Sequence, residues 1–254
     1  MIKEITSIKN KTVCDVKKLK QKKYREQTGT FLAEGYRNVV DSMKLKMPRM
    51  LFVEKDSSFE EDFSNYGEVF FVTQEVMKEL CDTKTPQGIV GVFDIPEEQP
   101  VTKKKILLLN GVSDPGNLGT ILRTALAAGF YDVLLDENCA DVYSPKVIRS
   151  AMSAVFSLNL IRVKSFSEVI LELQKSGYGI YAAALSEQAK SIYDTVFSEK
   201  TALLFGSEAN GIELPLLSMA DSTYIIPMQS AIESLNVAVA AGVSMYEVHR
   251  RETI

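Results

Sequence analysis

A chain of 254 residues, 46% of them hydrophobic and 24% charged, supplies a full core for one large domain or two modest ones. It has no apolar run near the roughly 20 residues of a membrane span, no signal-peptide stretch, and three cysteines (Cys14, Cys81, Cys139) too scattered for a disulfide framework or a metal site, so a reduced, soluble, cytoplasmic protein without metal is expected. The net charge of -4 argues, taken alone, against nucleic acid, but the charge is unevenly spread.

Between Met1 and Arg25 nine basic residues oppose two acidic ones, nine minus two giving +7 and leaving -11 for the rest of the chain. Lys17, Lys18, Lys20, Lys22, Lys23 and Arg25 crowd the end of this stretch. A basic arm on an acidic body is one end suited to polyphosphate, and these six side chains are its candidate phosphate contacts. From charge alone, a solvated lysine-rich helix accounts for it equally well.

Phe31-Leu32-Ala33-Glu34-Gly35 then leads into an amphipathic stretch, Tyr36 to Leu45. Apolar runs of strand length follow at Met50–Val53, Val69–Val72 and Ile89–Phe93, with a helical pattern at Gln74–Leu80, which predicts an α/β unit of about a hundred residues. Pro96 and Pro100 flank a polar run that cannot build a core element, so residues 97–105 are read as a linker between domains 1–96 and 106–254. Beyond it, strand-length runs at Ile106–Leu109, Val133–Leu135, Leu158–Val163, Ile180–Ala184, Ala202–Phe205 and Tyr224–Ile226 alternate with helical patterns at Leu118–Ala128, Pro145–Phe156, Ser167–Lys175 and Glu213–Ala220. A long helical pattern, Ser234 to Arg250, closes the chain. Continuous apolar strands interleaved with helices require a parallel sheet covered on both faces.

Three loops in this second half are rich in Gly, Asn and Ser, and each follows a strand pattern. They run from Asn110-Gly111-Val112-Ser113-Asp114-Pro115-Gly116-Asn117-Leu118-Gly119 to Arg123, through Gly206-Ser207-Glu208-Ala209-Asn210-Gly211, and from Ile226-Pro227-Met228-Gln229-Ser230 to Glu233-Ser234-Leu235-Asn236-Val237. Singly, each reads as a turn with a helix cap. Jointly they mark the carboxyl ends of strands, where open α/β sheets bind ligands. No Gly-x-Gly triplet follows Ile106–Leu109, which weighs against a Rossmann-type site.

As a set, Asn-Leu-Gly with Ile-Leu-Arg-Thr, Gly-Ser-Glu-x-x-Gly and Ser-Leu-Asn-Val resemble the three signature motifs of the SpoU (TrmH) family of RNA ribose 2′-O-methyltransferases, in the SPOUT superfamily. The first half, through Phe31–Gly35 and Thr85-Pro86-Gln87-Gly88-Ile89, is similar to that family's smaller α/β ribosomal-protein-like RNA-binding domain. The resemblance implies a C-terminal α/β trefoil-knot domain with a parallel sheet. It implies S-adenosylmethionine as cofactor, lined by Gly206, Ile226 and Leu235 with Met228 nearby, and RNA as partner, with ribosomal RNA, large-subunit in particular, favoured over transfer RNA. It also implies a homodimer through the C-terminal domain.

By the same match Arg123 is the first catalytic candidate. Its pKa above about 12 makes it a poor base, so positioning and electrostatic stabilisation are expected of it. Asn117 is expected to orient Arg123 or the ribose, and Glu208, Ser234 and Asn236 to complete the polar shell. Arg149 is a candidate RNA contact, or a structural arginine flanking the core. The family commonly carries a glycine near Ser153, where this chain reads Ala151-Met152-Ser153-Ala154. His249, the only histidine, reads as a helix-end cation; Asp136 and Glu137 read as a solvated loop, and Cys139 as incidental. A non-catalytic RNA-binding or ribosome-assembly factor keeping the fold is the rival reading.

Overall fold

The computed structural model describes residues 3–58, 63, 68–186, 188–229 and 234–252; Ser230 and Glu233 of the third loop lie outside the described residues. Its strands are β1 (Lys3–Ile5), β2 (Thr30–Glu34), β3 (Met50–Glu54), β4 (Val69–Val72), β5 (Ile89–Asp94), β6 (Lys105–Leu109), β7 (Asp132–Leu135), β8 (Asn159–Arg162), β9 (Gly179–Ala183), β10 (Lys190–Ser191), β11 (Thr201–Phe205) and β12 (Ser222–Ile225). Its helices are α1 (Lys11–Lys18), α2 (Lys22–Thr28), α3 (Tyr36–Met43), α4 (Gln74–Leu80), α5 (Pro115–Ala128), α6 (Pro145–Ala151), α7 (Phe166–Lys175), α8 (Leu214–Ser218) and α9 (Val237–Glu252), with a 3₁₀ turn over Met152–Phe156. The chain divides into two units, Met1–Glu97 with Asp141–Phe156, and Glu98–Ala140 with Ser157–Ile254. Sequence order conceals one feature of this division: α6 and the 3₁₀ turn, which fall in the second half of the chain, pack within the first unit.

In the first unit five strands form one sheet in the order β1-β4-β3-β5-β2. β4 runs parallel to β1 and β3, while β5 is antiparallel to β3 and β2. Side chains alternate across a sheet, and the two faces differ here. Leu32, Phe52, Val72, Val90 and Val92 join Val13, Val16 and Leu19 from the N-terminal segment and Val76, Met77 and Leu80 of α4. Opposite them, the Phe31 and Phe93 rings lie 6.1 Å apart and each packs on Phe156, at 5.5 and 5.1 Å.

The N-terminal basic stretch is therefore not an arm. β1 adds to the sheet edge, Asn10 Oδ1 caps α1 by accepting from Thr12 N at 2.9 Å, and Val13 and Val16 turn that helix inward. Gly29, at φ 62°, ends α2 in the left-handed conformation that β-carbons disfavour. Phe31 to Glu34, which the sequence shows only as a lead-in to α3, is the wholly buried strand β2.

In the second unit seven parallel strands are ordered β10-β12-β9-β11-β6-β7-β8. Ile106, Leu108, Leu134, Ile180, Ala182 and Leu204 bury one face of the sheet under Phe166, Ile170 and Leu173 of α7 and Leu216 of α8. Each such side chain contributes about 1.5–3 kcal/mol on burial. Leu107, Leu109, Leu203 and Phe205, equally buried, alternate onto the other face. α5 begins at its Asp114 cap with Pro115 in the first turn, and it packs along α9. Among the described residues no helix is long and apolar enough to cross a membrane.

Candidate active site

The carboxyl ends of β6, β11 and β12 carry the loops that the sequence singles out. Asn110 follows β6, and its backbone N–H donates to Phe205 O at 2.8 Å, so the first loop leaves the sheet beside the second. In the second loop Ser207 and Gly211 exchange backbone hydrogen bonds of 3.0 and 2.9 Å, with Gly211 at φ 69°. The returning strand passes so close that a β-carbon on Gly206 would lie 2.0 Å from the Gly211 carbonyl carbon. Only glycine fits there. This tight turn projects Glu208 into solvent.

One chain of hydrogen bonds then joins all three loops. Asn117 Nδ2 donates to Glu208 Oε1 at 2.8 Å, and Asn236 Nδ2 donates to Asn117 Oδ1 at 2.9 Å. Asn236 Oδ1 in turn accepts from Ala238 N at 2.9 Å, at the start of α9. Because the Glu208 carboxylate can only accept, it fixes the amide orientation of Asn117, and that fixes Asn236. Asp114 Oδ1 accepts from Asn117 N at 2.8 Å and holds the backbone of the same residue.

Beside this chain, at the ends of β9 and β12, lies an open hollow of about 160 Å³. Ile226, Met228, Ser234 and Leu235 line it together with Ala183, Tyr224 and Ala240. Three of the four expected cofactor-pocket residues thus meet at one hollow; Gly206 acts at the neighbouring turn. Ser234 stands at the hollow and takes no part in the Glu208–Asn117–Asn236 chain.

Arg123 is separate from both. It is exposed on α5, six residues beyond Asn117 and so about 120° around the helix from it. The Asn117 amide is held by Glu208 and Asn236, and among the described residues no hydrogen bond joins it to Arg123. Among the described residues Arg123 has no hydrogen bond or ion pair.

A second cluster escaped the sequence reading. Asp136, read as part of a solvated loop, is buried. Its carboxylate accepts from Asn110 Nδ2, Gly111 N and Cys139 N at 2.9, 2.9 and 3.0 Å. Asn110 also donates to Glu213 Oε1 at 3.0 Å and accepts from Glu213 N at 3.1 Å. The group ties the β6, β7 and β11 loops behind the candidate site. The available signal was position: Asp136 directly follows the apolar run Val133–Leu135, at a strand end where loops converge. Cys139 is not incidental either. Buried beneath this cluster, its thiol donates to Leu109 O at 3.1 Å, and desolvation together with the Asp136 carboxylate pushes its pKa up to about 12. Burial and Glu34 do the same to Cys81, also to about 12. Neither thiol is a nucleophile at neutral pH. Among the described residues no group of acidic, His and Cys side chains is arranged for a metal.

The basic candidates divide. Lys17 pairs with Glu79, Lys18 with Asp15 at 2.8 Å and Lys22 with Glu26 at 3.7 Å, all exposed. Such pairs are weak and exchange readily for phosphate. Lys20 donates to Cys81 O, and Lys23 is exposed. Arg25 is a correction: it is buried, paired with Asp141 and donating to Leu19 O at 2.6 Å, so it is a structural cation and not part of a solvent-facing patch. Arg149 likewise pairs with Glu34 and, at 3.0 Å, with Asp82.

Both halves of the chain are similar to known proteins. The family model for the SpoU rRNA methylase family matches residues 104–246, and that for an MRM3-like substrate binding domain matches residues 10–91. A 23S rRNA (guanosine(2553)-2′-O)-methyltransferase of Bacillus subtilis is 36% identical, over 97% of this chain and 99% of its own. An AdoMet-bound rRNA methyltransferase from Sinorhizobium meliloti superposes with a TM-score of 0.85 at 30% identity, covering 100% of this chain and 99% of its own. The AdoMet complex of the SpoU methyltransferase AviRb from Streptomyces viridochromogenes does so with a TM-score of 0.85 at 26% identity, over 96% and 99%. With both halves matched in order and a relative 36% identical along nearly the whole chain, this chain belongs to the SpoU rRNA methylase family.

Proposed function

We propose that this chain methylates a ribose 2′-hydroxyl of large-subunit ribosomal RNA, with S-adenosylmethionine as methyl donor. The observation that carries the reading is the Glu208–Asn117–Asn236 chain, which holds three separate loops in one arrangement beside an apolar hollow. The hollow suits the cofactor: Ile226, Met228 and Leu235 offer apolar walls to an adenine, and Gly206 allows close backbone approach. When bound, the cofactor supplies an electrophilic methyl group on its sulfonium.

The protein's part is alignment and electrostatics. Arg123, exposed and, among the described residues, without a hydrogen-bond or ion-pair partner, holds a substrate phosphate bidentately or stabilises the developing alkoxide. Glu208, Asn117 and Asn236 keep the rim in position, and Ser234 faces the hollow. Lys17, Lys18, Lys22 and Lys23 attract the RNA backbone over the first unit. The trefoil knot belongs to the same reading and is supported by membership of the SpoU family. So do a homodimer paired through the second unit and a cytoplasmic location, where ribosomal RNA is found in bacteria.

The test is transfer of labelled methyl from S-adenosylmethionine to ribosomal RNA of a strain lacking this protein, comparing wild type with Arg123→Ala. Ribose methylation protects the adjoining phosphodiester from alkali. Alkali-resistant label with wild type, reduced at least about 100-fold in the variant, is the expected result. No incorporation into ribosomal RNA, naked or in particles, overturns the proposal; label in transfer RNA instead redirects it, and none in either leaves an RNA-binding factor.

A further inference from the structure

Asn110, directly after β6, is 3% exposed, and both ends of its side-chain amide are engaged. Its Nδ2 donates to Asp136 Oδ2 at 2.9 Å and to Glu213 Oε1 at 3.0 Å, while its Oδ1 accepts from Glu213 N at 3.1 Å. Its own backbone N–H donates to Phe205 O at 2.8 Å. Phe205 and Glu213 stand on either side of residues 206–212. The second loop therefore leaves from and returns to this one residue.

The position calls for a carboxamide. The Asp136 carboxylate is buried, and among the described residues neither it nor Glu213 has an ion-pair partner. Asp136 is satisfied by N–H groups instead: the backbones of Gly111 and Cys139, and Asn110 Nδ2. Asn138 Nδ2 stands farther off, at 3.5 Å. A buried charge without a counter-ion depends on such hydrogen bonds. An amide presents a donor to Asp136 and an acceptor to Glu213 N at once, whereas a carboxylate of the same shape presents acceptors alone. The other titratable group beside the cluster is the Cys139 thiol, which turns to Leu109 O and, with its pKa pushed up to about 12, stays protonated.

We propose that Asn110 is a positioning residue for cofactor binding: its carboxamide, held by Asp136 and holding Glu213, sets the shape of residues 206–212 and through them the pocket that takes S-adenosylmethionine. The inference deepens the assignment of that pocket to the cofactor and rests on it. Asn110 is not among the residues that line the hollow. It acts through Gly206, whose close approach to Gly211 the loop must preserve, and through Glu208, which orients Asn117 and Asn236.

The experiment uses the full chain and S-adenosylhomocysteine, with binding read by calorimetry, so that neither RNA nor turnover enters the result. Asn110→Asp replaces the donor with a carboxylate oxygen facing Asp136. Two facing carboxylates resist ionising together and share one proton as pH falls, and that proton takes the place of the lost N–H. Asn110→Asp is expected to bind at least about tenfold more weakly than wild type at about pH 8 and within about threefold of it at about pH 5.5, while wild type changes little. The exchange variant, Asn110→Asp with Asp136→Asn, restores donor and acceptor in swapped places at unchanged net charge. It is expected to bind at least about threefold more tightly than Asn110→Asp at about pH 8.

Wild-type affinity in Asn110→Asp at about pH 8 overturns the proposal, and so does a loss that neither acid nor the exchange repairs. A merely structural Asn110 lowers the melting temperature and leaves the affinity of the folded protein unchanged, which overturns it too. Where Asn110→Asp does not fold at about pH 8, the exchange variant is set against wild type: binding within about tenfold supports the proposal, and weaker binding or failure to fold overturns it. If wild type binds S-adenosylhomocysteine and Asn110→Asp matches it, this inference fails alone; if wild type binds none, the reading of the pocket beneath it has failed.

Discussion

Gly206 shows how much a single residue decides here. A β-carbon on it would overlap the backbone of Gly211 and Ile212 at 2.0–2.2 Å, and neither is a flexible side-chain end that can swing away. The turn from Ser207 to Gly211 must therefore reopen in Gly206→Ala, and Glu208, which rides on that turn, then leaves Asn117. Overpacking of this kind typically costs about 1–3 kcal/mol, and a backbone clash belongs at the upper end. Urea unfolding is expected to show a loss of about 3 kcal/mol, and calorimetry at least a tenfold weaker S-adenosylmethionine affinity. A variant with wild-type stability and affinity would mean that the turn does not shape the site. The sequence showed this glycine within its motif, but only the crossing of Gly211 gives the reason. Met152 marks the opposite limit of legibility. The resemblance leads one to look for a glycine near Ser153, and the backbone demanding it occurs one residue earlier, where no composition signal betrays a positive φ.

Elements whose burial follows one rule were legible, and those held by unlike partners were not. The runs at β6, β7, β9 and β11 are apolar throughout because a parallel sheet covers both faces. α1 and α2 were hidden by their lysines, since the few inward positions, Val13, Val16 and Arg25 among them, give no continuous pattern. β10, two residues at the sheet edge, has no pattern to read. The end of α9 is a further case: nothing in the sequence pattern sets Glu247 apart from the charges around it. It is buried, accepting from Arg251 Nε at 2.7 Å and from Arg250 at 2.9 and 3.0 Å, while Arg251 also donates to the carbonyls of Ile192, Tyr193 and Thr195. Hydrogen bonds from Arg250 and then Arg251 hold the Glu247 carboxyl below its usual range. A depressed carboxylate pKa contributes stability that is present above the unfolded value, 4.5, and is lost as pH falls through the folded one. Glu247→Gln is accordingly expected to be less stable than wild type by about 1–3 kcal/mol at about pH 7, with the gap narrowing as pH is lowered toward about 3. Unfolding curves across that range test it; a pH-independent gap would assign the loss to packing instead of charge.

At the scale of the whole molecule, the second unit has exposed apolar surface and, in Arg123, an exposed arginine to which the proposed reaction assigns a role. Val239 and Tyr246, 53% and 49% exposed, sit two turns apart on one face of α9, and Leu185, Tyr193 and Val196 are also exposed in this unit. α9 packs along α5, the helix that carries Arg123. Among the described residues Arg123 has no hydrogen-bond or ion-pair partner to orient the guanidinium on which the proposed chemistry depends. A second copy laid against α9 would bury the two apolar side chains and narrow the space around Arg123, supplying what the single chain lacks. Val239→Glu with Tyr246→Glu places two carboxylates on that face, where burial in an interface is prohibitive and exposure on a lone helix is harmless. In sedimentation equilibrium wild type is expected at twice the 28.2 kDa chain mass and the double variant at the chain mass itself, with S-adenosylmethionine-dependent methyl transfer reduced at least about tenfold. A double variant that is monomeric but fully active would show that each chain orients Arg123 unaided once RNA is bound. A wild type already monomeric at micromolar concentration would remove the dimer from the mechanism and leave the substrate phosphate as the only group that can hold the arginine in place.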